Sequence, residues 1–263
     1  MVYRHTFMLQ SNDGGRSVVK WQMSSRIQEV PRQVDELQRR FQDINTCDVS
    51  DALDSMGLQG QVHGLVPLWP GAPPLVGPAL TMKLHPQAKY STVIGTLEGI
   101  AVGKPGDVIV FDNDGRTDIN TFGSIAAYCA RKQGIVGCIT DGASRDVDGM
   151  QEEGFPIYGR GAVTTSVRDR TGFVGYQVPV RIGGVDVNPG DIVMADVNGV
   201  VVIPAERLDE ALRMAHFFRE MERRVKAAVD AGGSPVEVHE NLKYDRLFSD
   251  IRAAEMPDSQ PAG

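Results

Sequence analysis

Six consecutive residues, Asp141-Gly142-Ala143-Ser144-Arg145-Asp146, end in a planar guanidinium beside a carboxylate. That pair is suited to present an oxyanion and a hard divalent cation side by side. A second segment, Phe122-Gly123-Ser124-Ile125, falls where a helix should begin. The free N–H groups of a helix's first turn receive a carboxylate or phosphate. Together the two segments would chelate a 2-oxo acid, with a metal on its keto and carboxylate oxygens, helix N–H groups on the carboxylate and Arg145 on the keto oxygen. Such a site stabilises an enolate, the intermediate shared by retro-aldol cleavage and β-decarboxylation. Taken alone, an Arg-Asp dipeptide is mostly structural, an ordinary ion pair or a cap on a loop.

The surrounding periodicity must deliver these residues to one place. Val108-Ile109-Val110-Phe111-Asp112 reads as a buried strand after a Pro105-Gly106-Asp107 turn. A helix over 124–132 leads through Gly134 to a second strand, Val136 to Thr140, and both follow a strand over 79–84 and a helix over 90–102. Alternating helix and apolar strand predicts an α/β sheet whose ligand groups lie beyond the carboxyl ends of the strands, here the loops after Asp112 and Thr140. A further strand is expected over 155–158.

The flanking chain reads differently. Helices are expected near 34–44 and from about Asp48 or Ser50 to Met56, with Gly57 closing the second. Short β segments over 178–180, 185–187, 192–196 and 200–203 are separated by glycine-containing turns, and a long helix over about 205–231 carries Leu208, Leu212, Ala215, Met221 and Val225 on one face. The expected organisation is an arm over 1–30, one α/β domain over 31–232 and a loosely held tail over 233–263.

Several chemistries are disfavoured. Gly99 to Lys104 has the wrong glycine spacing for a phosphate loop and Pro105 where a magnesium-binding hydroxyl belongs, and neither a GxGxxG helix start nor a GxSxG elbow occurs. His63 and His85 each stand alone, which fits solvated or structural histidines. Cys47, Cys129 and Cys138 have no ligand or disulfide spacing, fit small buried residues, and suit a reducing cytoplasm. The chain of 263 residues carries a net charge of −7, which argues against nucleic acid or anionic lipid as a partner, and no apolar run approaches the ~20 residues of a membrane span.

Over most of the span from Asp48 to about Gly232 the sequence resembles the RraA-like family. The matching pieces are Val49-Ser50-Asp51-Ala52-Leu53-Asp54, Val76-Gly77-Pro78-Ala79-Leu80-Thr81, Pro105 to Val110, Asp141 to Asp146, Pro189-Gly190-Asp191 and Asn198 to Pro204. That family includes class II 4-hydroxy-4-methyl-2-oxoglutarate aldolases, oxaloacetate decarboxylases and the regulator of ribonuclease E activity. The resemblance implies a layered β/β/α domain, here with a long C-terminal helix, assembled as homotrimers or homohexamers with sites at subunit boundaries. It implies that Gly123, Ser124, Ile125 and Ala126 form the carboxylate-binding turn, that Arg145 is the substrate arginine, and that Asp146 is the ligand of Mg2+ or Mn2+.

One position departs from the resemblance. Aldolase members have Asp or Glu twenty-one residues before the arginine, and here that residue is Ser124. A serine hydroxyl holds a water but does not act as its base at neutral pH. Asp112, Asp114 and Asp118 lie just upstream as candidate substitutes. The leading expectation is a metal-dependent lyase on a 4-hydroxy-2-oxo acid or oxaloacetate, giving pyruvate. Alternatives are a lyase or hydratase on another sugar-acid or aromatic-catabolic acid, and a non-catalytic protein that binds an RNA-processing nuclease. The methyltransferase name also attached to this family finds no glycine-rich donor-binding motif here.

Overall fold

The computed structural model describes residues 34–243 and residue 246. The expected arm over 1–30 and the tail beyond 246 lie outside the described residues. The chain opens with α1 (Val34–Arg40) and α2 (Thr46–Ser55), then two short strands, β1 (Gln61–Val62) and β2 (Val66–Pro67). The central run is β3 (Leu75–His85), α3 (Thr92–Val102), β4 (Val108–Phe122), α4 (Ser124–Lys132), β5 (Gly137–Ser144), α5 (Val147–Glu152) and β6 (Ile157–Gly159). There follow β7 (Gly161–Ala162), β8 (Gly172–Tyr176), β9 (Val180–Ile182), β10 (Val185–Val187), β11 (Ile192–Asp196) and β12 (Gly199–Ile203). A single 3-10 turn then leads into α6 (Leu208–Asp230), and α7 (Pro235–Leu242) is the last helix of the described residues.

Ten strands form one sheet in the order β1-β12-β11-β3-β4-β5-β6-β2, with β7 beside β5 and β8 beside β3. The pairs β3-β4, β4-β5 and β5-β6 are parallel, whereas β11 runs antiparallel to both β3 and β12. Strand alternation sorts the side chains into two layers. Ile109, Phe111 and Cys138 join the core under α3, α4 and α5, while Val108, Val110 and Ile139 face the core covered by the β9-β10 hairpin. A third cluster packs α1, α2 and α6 onto β11 and β12 through Leu53, Ile192, Ile203 and Leu212. The result is the layered α/β arrangement with a long C-terminal helix.

Helix α2 begins at Thr46, earlier than the apolar periodicity indicates, because Asn45 and Asp48 form a capping box: Asn45 Oδ1 accepts from the Cys47 and Asp48 N–H groups, and Asp48 accepts from Asn45 N–H at 2.8 Å. Cys47 is consequently on the exposed side of this helix rather than buried, whereas Cys138 lies within the core. Against β3 and β8, α3 packs through glycine: a Cβ at Gly95 would stand 2.3 Å from the Phe173 ring. Helix α4 occupies the residues read from its pattern, and the segment after Gly232, read as a loose tail, includes α7 with Val238 buried.

The largest departure concerns β4. It does not end at Asp112 but continues to Phe122, its pairing with β5 jumping from Asp112–Asp141 to Arg116–Gly142, Asn120–Ala143 and Phe122–Ser144. Bulges at these jumps absorb the extra residues. Likewise β5 runs past Thr140 to Ser144. Among the described residues no helix is long and apolar enough to cross a membrane.

Candidate active site

Because β4 and β5 are parallel and end in register at Phe122 and Ser144, the residues after them leave the sheet side by side. Arg145 N–H donates to the Phe122 carbonyl at 3.1 Å, tying the two strand ends together. Gly123 is the N-cap of α4, with no side chain to occupy the helix mouth, and Ser124 is the first helical residue rather than the cap. Asp146 caps α5 with φ 55° and ψ 41°, a left-handed conformation that Asp tolerates better than most residues.

The side chains converge on one carboxylate oxygen. Ser124 Oγ lies 3.4 Å from Asp146 Oδ2, and Arg145 Nε lies 3.4 Å from the same atom. The second contact is an ion pair without hydrogen-bond geometry, since Arg145 Nε is buried and has no hydrogen-bond partner among the described residues. Asp146 keeps 47% of its side chain exposed. Gly123 makes this closeness possible: a Cβ there would sit 3.2 Å from Asp146 Oδ2 and 3.5 Å from Arg145 Cγ.

A cleft of about 110 Å3 opens at this point. Gly123, Ile125, Ala126, Arg145 and Asp146 line it, while Ser124 does not, its hydroxyl being turned to Asp146. The volume is small beside the ~300–1,000 Å3 of pockets for drug-sized ligands and suits a small molecule. Two walls escaped sequence reasoning: Thr92, Thr96 and Leu97 of α3, and the segment Ser166-Val167-Arg168. That segment is held by Asn120, whose Oδ1 accepts from Val167 N–H at 2.7 Å and whose N–H donates to Thr165 O at 2.9 Å. No local pattern marks a contact spanning so much chain; an asparagine between Ile119 and Thr121 carries no distinctive signal.

The upstream acids are not brought to this cleft. Asp112 is buried, bonded to Lys83 Nζ at 2.8 Å and to Arg181 N–H, and with Asp114 it lines a different cleft together with Asp141 and Arg160. The parity of β4 explains this, since Asp112 shares the face of Val108 and Val110, opposite to α3 and α4. Asp118 is bound in a two-pronged contact by Arg116 at 3.0 and 2.6 Å, and that hydrogen bonding holds its carboxyl below the usual range. Neither Asp118 nor either of the other two lines the Arg145 cleft. His63 and His85 are exposed, and the latter's Nδ1 accepts from Gln87 N–H.

Comparison with known proteins is consistent in kind. The RraA-like family model, described as Aldolase/RraA, matches residues 46–202. The chain is similar to protein DlpA of Legionella pneumophila, 33% identical over 208 residues; these make up 79% of this chain, which spans about a third of DlpA, 34% of its length. A Halalkalibacterium halodurans protein named "Putative 4-hydroxy-4-methyl-2-oxoglutarate aldolase" is 35% identical over 176 residues, covering 67% of this chain and 80% of that one. Among solved structures, an uncharacterized protein from Pseudomonas syringae pv. tomato superposes with a TM-score of 0.69 at 31% identity, over 78% of this chain and 97% of its own. Streptomyces coelicolor RraAS2, described as an unusual member of the RNase ES inhibitor RraA protein family, gives 0.63 at 27%, over 72% and 94%.

Proposed function

The chain belongs to the RraA-like family, and we propose that it is a lyase of that family, cleaving or decarboxylating a 2-oxo acid with the help of Mg2+ or Mn2+. The observation that carries this is the partly exposed Arg145 guanidinium, whose Nε has no hydrogen-bond partner among the described residues, beside the half-exposed Asp146 carboxylate in the wall of one cleft at the mouth of α4. The exposed part of this guanidinium lies in the cleft wall, where a bound anion would meet it. A substrate oxyanion has the charge and the lone pairs to accept its hydrogen bonds.

The metal fits this residue set in one form. Among the described residues no group of three His, Cys, Asp or Glu side chains is assembled, so an all-protein cage is absent. Asp146, half-exposed and met at 3.4 Å by Ser124 Oγ and Arg145 Nε, fits instead a hard cation that keeps most of its waters and leans on one carboxylate. When bound, such an ion supplies Lewis-acid stabilisation of negative charge on the substrate's keto oxygen.

The chain's own groups do the remainder. N–H groups in the first turn of α4 receive the substrate carboxylate, which also lies at the positive end of the helix dipole. Arg145 hydrogen-bonds the keto oxygen and strengthens that bond as enolate charge develops. Retro-aldol cleavage also needs a base for the 4-hydroxyl, and Ser124 is not one at neutral pH. Decarboxylation of oxaloacetate has no such step: the C3–C4 bond breaks, carbon dioxide leaves, and the enolate of pyruvate takes a proton at C3. Oxaloacetate is therefore the first substrate to assay.

Assembly as a homotrimer or homohexamer is part of this reading. Ile125 is 71% exposed and Tyr128 47% exposed on α4, beside the cleft, an apolar surface that a second copy would cover. The likeness to RraAS2 supports a second reading, a regulator that binds a nuclease. Turnover of oxaloacetate or a 4-hydroxy-2-oxo acid with magnesium, abolished by chelator and reduced by Arg145→Lys, tests the first reading. A lysine keeps the charge but not the planar fork. Turnover of neither acid, or an undiminished rate in Arg145→Lys, would remove it.

A further inference from the structure

The walls of the Arg145 cleft divide into one polar end and an apolar remainder. Beyond Gly123, Arg145 and Asp146 they include Val93 and Leu97 of α3, Ala126 of α4, Phe122 and Val167. Val93 and Leu97 are about one helical turn apart and so lie on the same face of α3. Leu97 and Ala126, both partly buried, pack against the core cluster that contains Phe122 and Val167, so this part of the cleft is an open face of that core.

The uncharged polar side chains in the same walls are already bonded to the protein. Thr92 Oγ1 donates to Thr171 O at 2.9 Å, and Thr96 Oγ1 donates to Thr92 O at 2.8 Å. Thr121 Oγ1 accepts from Asn113 Nδ2 at 2.9 Å, and Ser166 Oγ accepts from Arg168 N–H at 3.2 Å. Asn120 Oδ1 accepts from Val167 N–H at 2.7 Å, while its Nδ2 donates to the Phe122 carbonyl at 3.4 Å. Apart from Arg145, the one cation that the described residues place in these walls is Arg168, which is exposed and followed by Asp169. A solvated charge there is screened and worth little to a ligand. Moving a carboxylate out of water against the aliphatic walls is, by contrast, costly.

We infer that the cleft selects a 2-oxo acid with a single carboxylate and a short alkyl tail, the tail lying along Val93, Leu97 and Ala126 while the carboxylate and keto oxygens are held at Gly123, Arg145 and Asp146. The inference rests on the lyase reading for the held end and narrows it at the other. Both ends belong to one cleft, so the occupant of the apolar part is the remainder of the same molecule. Each methylene taken out of water is worth about 0.8 kcal/mol, roughly fourfold in affinity. Oxaloacetate serves to assay the bond-breaking step, although its second carboxylate meets hydrocarbon in these walls.

Calorimetric titration of the full chain with magnesium compares pyruvate, 2-oxobutanoate and 2-oxopentanoate with 2-oxoglutarate, which has the carbon chain of 2-oxopentanoate but ends in a second carboxylate. Affinity should rise roughly fourfold with each carbon added from pyruvate to 2-oxopentanoate. 2-Oxoglutarate should bind at least about tenfold more weakly than 2-oxopentanoate. Leu97→Ala should flatten the rise along the series. Val93→Lys, at an exposed position, should weaken 2-oxopentanoate and strengthen 2-oxoglutarate, narrowing or reversing their order. If 2-oxoglutarate binds the wild type as tightly as 2-oxopentanoate, the inference is overturned and the far end of the substrate is polar. Equal affinity along the alkyl series, or a rise untouched in folded Leu97→Ala, also overturns it and leaves these walls to a second copy of the chain. The lyase reading stands in each of those cases. Absence of binding by every 2-oxo acid removes both.

Discussion

The hydroxyl of Ser124 stands 3.4 Å from the Asp146 carboxylate, joining the first residue of one helix to the cap of the next. With Arg145 Nε on the same oxygen, Asp146 Oδ2 is contacted from both sides and yet by no strong bond. The carboxylate is thus positioned without being consumed. Asp146→Asn removes the charge and keeps a residue tolerant of the left-handed backbone. The wild type should gain thermal stability with saturating magnesium or manganese, by about 2.7 kcal/mol at a hundredfold excess over Kd. The variant should show no such gain, little change in basal Tm, and loss of lyase activity. A metal-induced shift of wild-type size in Asp146→Asn would place the ion elsewhere.

Gly123 is expected to matter for space and not for backbone freedom. Its φ of −154° and ψ of 175° suit any residue. A methyl group would, however, meet Asp146 Oδ2 at 3.2 Å, so that carboxylate must give by a few tenths of an ångström. Gly123→Ala should lower stability modestly, by up to about 1 kcal/mol, because alanine is a poorer N-cap than glycine. Its kcat should fall by on the order of tenfold, in keeping with the ~100-fold cost of a 1 Å misplacement. Full activity in the folded variant would show that the closeness of Gly123 to Asp146 is incidental.

These two positions were legible because their placement is local. A strand followed by a helix start and a strand followed by Arg-Asp must deliver both to one sheet edge once the strands are parallel neighbours. Helix α4 emerged with its ends because Gly123 and Gly134 bracket an apolar period. What stayed hidden depends on distant contacts. The continuation of β4 to Phe122 follows from bulged pairing with β5, which no alternation encodes, and it carries Asp112 away from the cleft. Strand β8, with two glycines and no clear alternation, exists through its pairing with β3. Arg168 lies in the cleft wall next to Val167, which the distant Asn120 anchors.

Asp51 on α2 offers a test of electrostatics away from the cleft. Burial first, then the neighbouring charges of Asp48, Asp54 and Glu222, push its carboxyl up to about 6. An unfolded aspartate titrates near ~3.9, so between about pH 4 and 6 the folded state holds the extra proton. Stability contributed by this group is accordingly lost as pH rises through that window, and the penalty is fully present at neutral pH. Unscreened, this rise would correspond to ~3 kcal/mol; partial exposure reduces it to about 1 kcal/mol. Asp51→Asn should raise Tm by roughly 2–4 °C at pH 7.5, with the gain vanishing near pH 4. A gain independent of pH would assign the effect to packing.

Ser124→Asp restores the acidic group that the aldolases resembled by this sequence carry. Without metal it places a second carboxylate close to the first, since the serine oxygen is already 3.4 Å from Asp146 Oδ2. Like charges at about 4 Å repel by ~4 kcal/mol at an effective dielectric near 20, and salt and solvent reduce this. The first position of α4 favours an acid by only about 0.3–1 kcal/mol through the helix dipole. The metal-free variant should therefore melt below the wild type. With magnesium the order should narrow or reverse, because a divalent cation is attracted by both carboxylates. The same group supplies a base for a substrate hydroxyl, so retro-aldol cleavage of a 4-hydroxy-2-oxo acid should rise roughly tenfold or more, the lower range of acid-base contributions. Decarboxylation, which removes no hydroxyl proton, should respond less. Equal melting with and without metal would break the link between position 124 and the cation. An aldolase rate that falls in a folded, metal-binding variant would mean that the wild type takes its proton through a route that Ser124 leaves open and a carboxylate blocks.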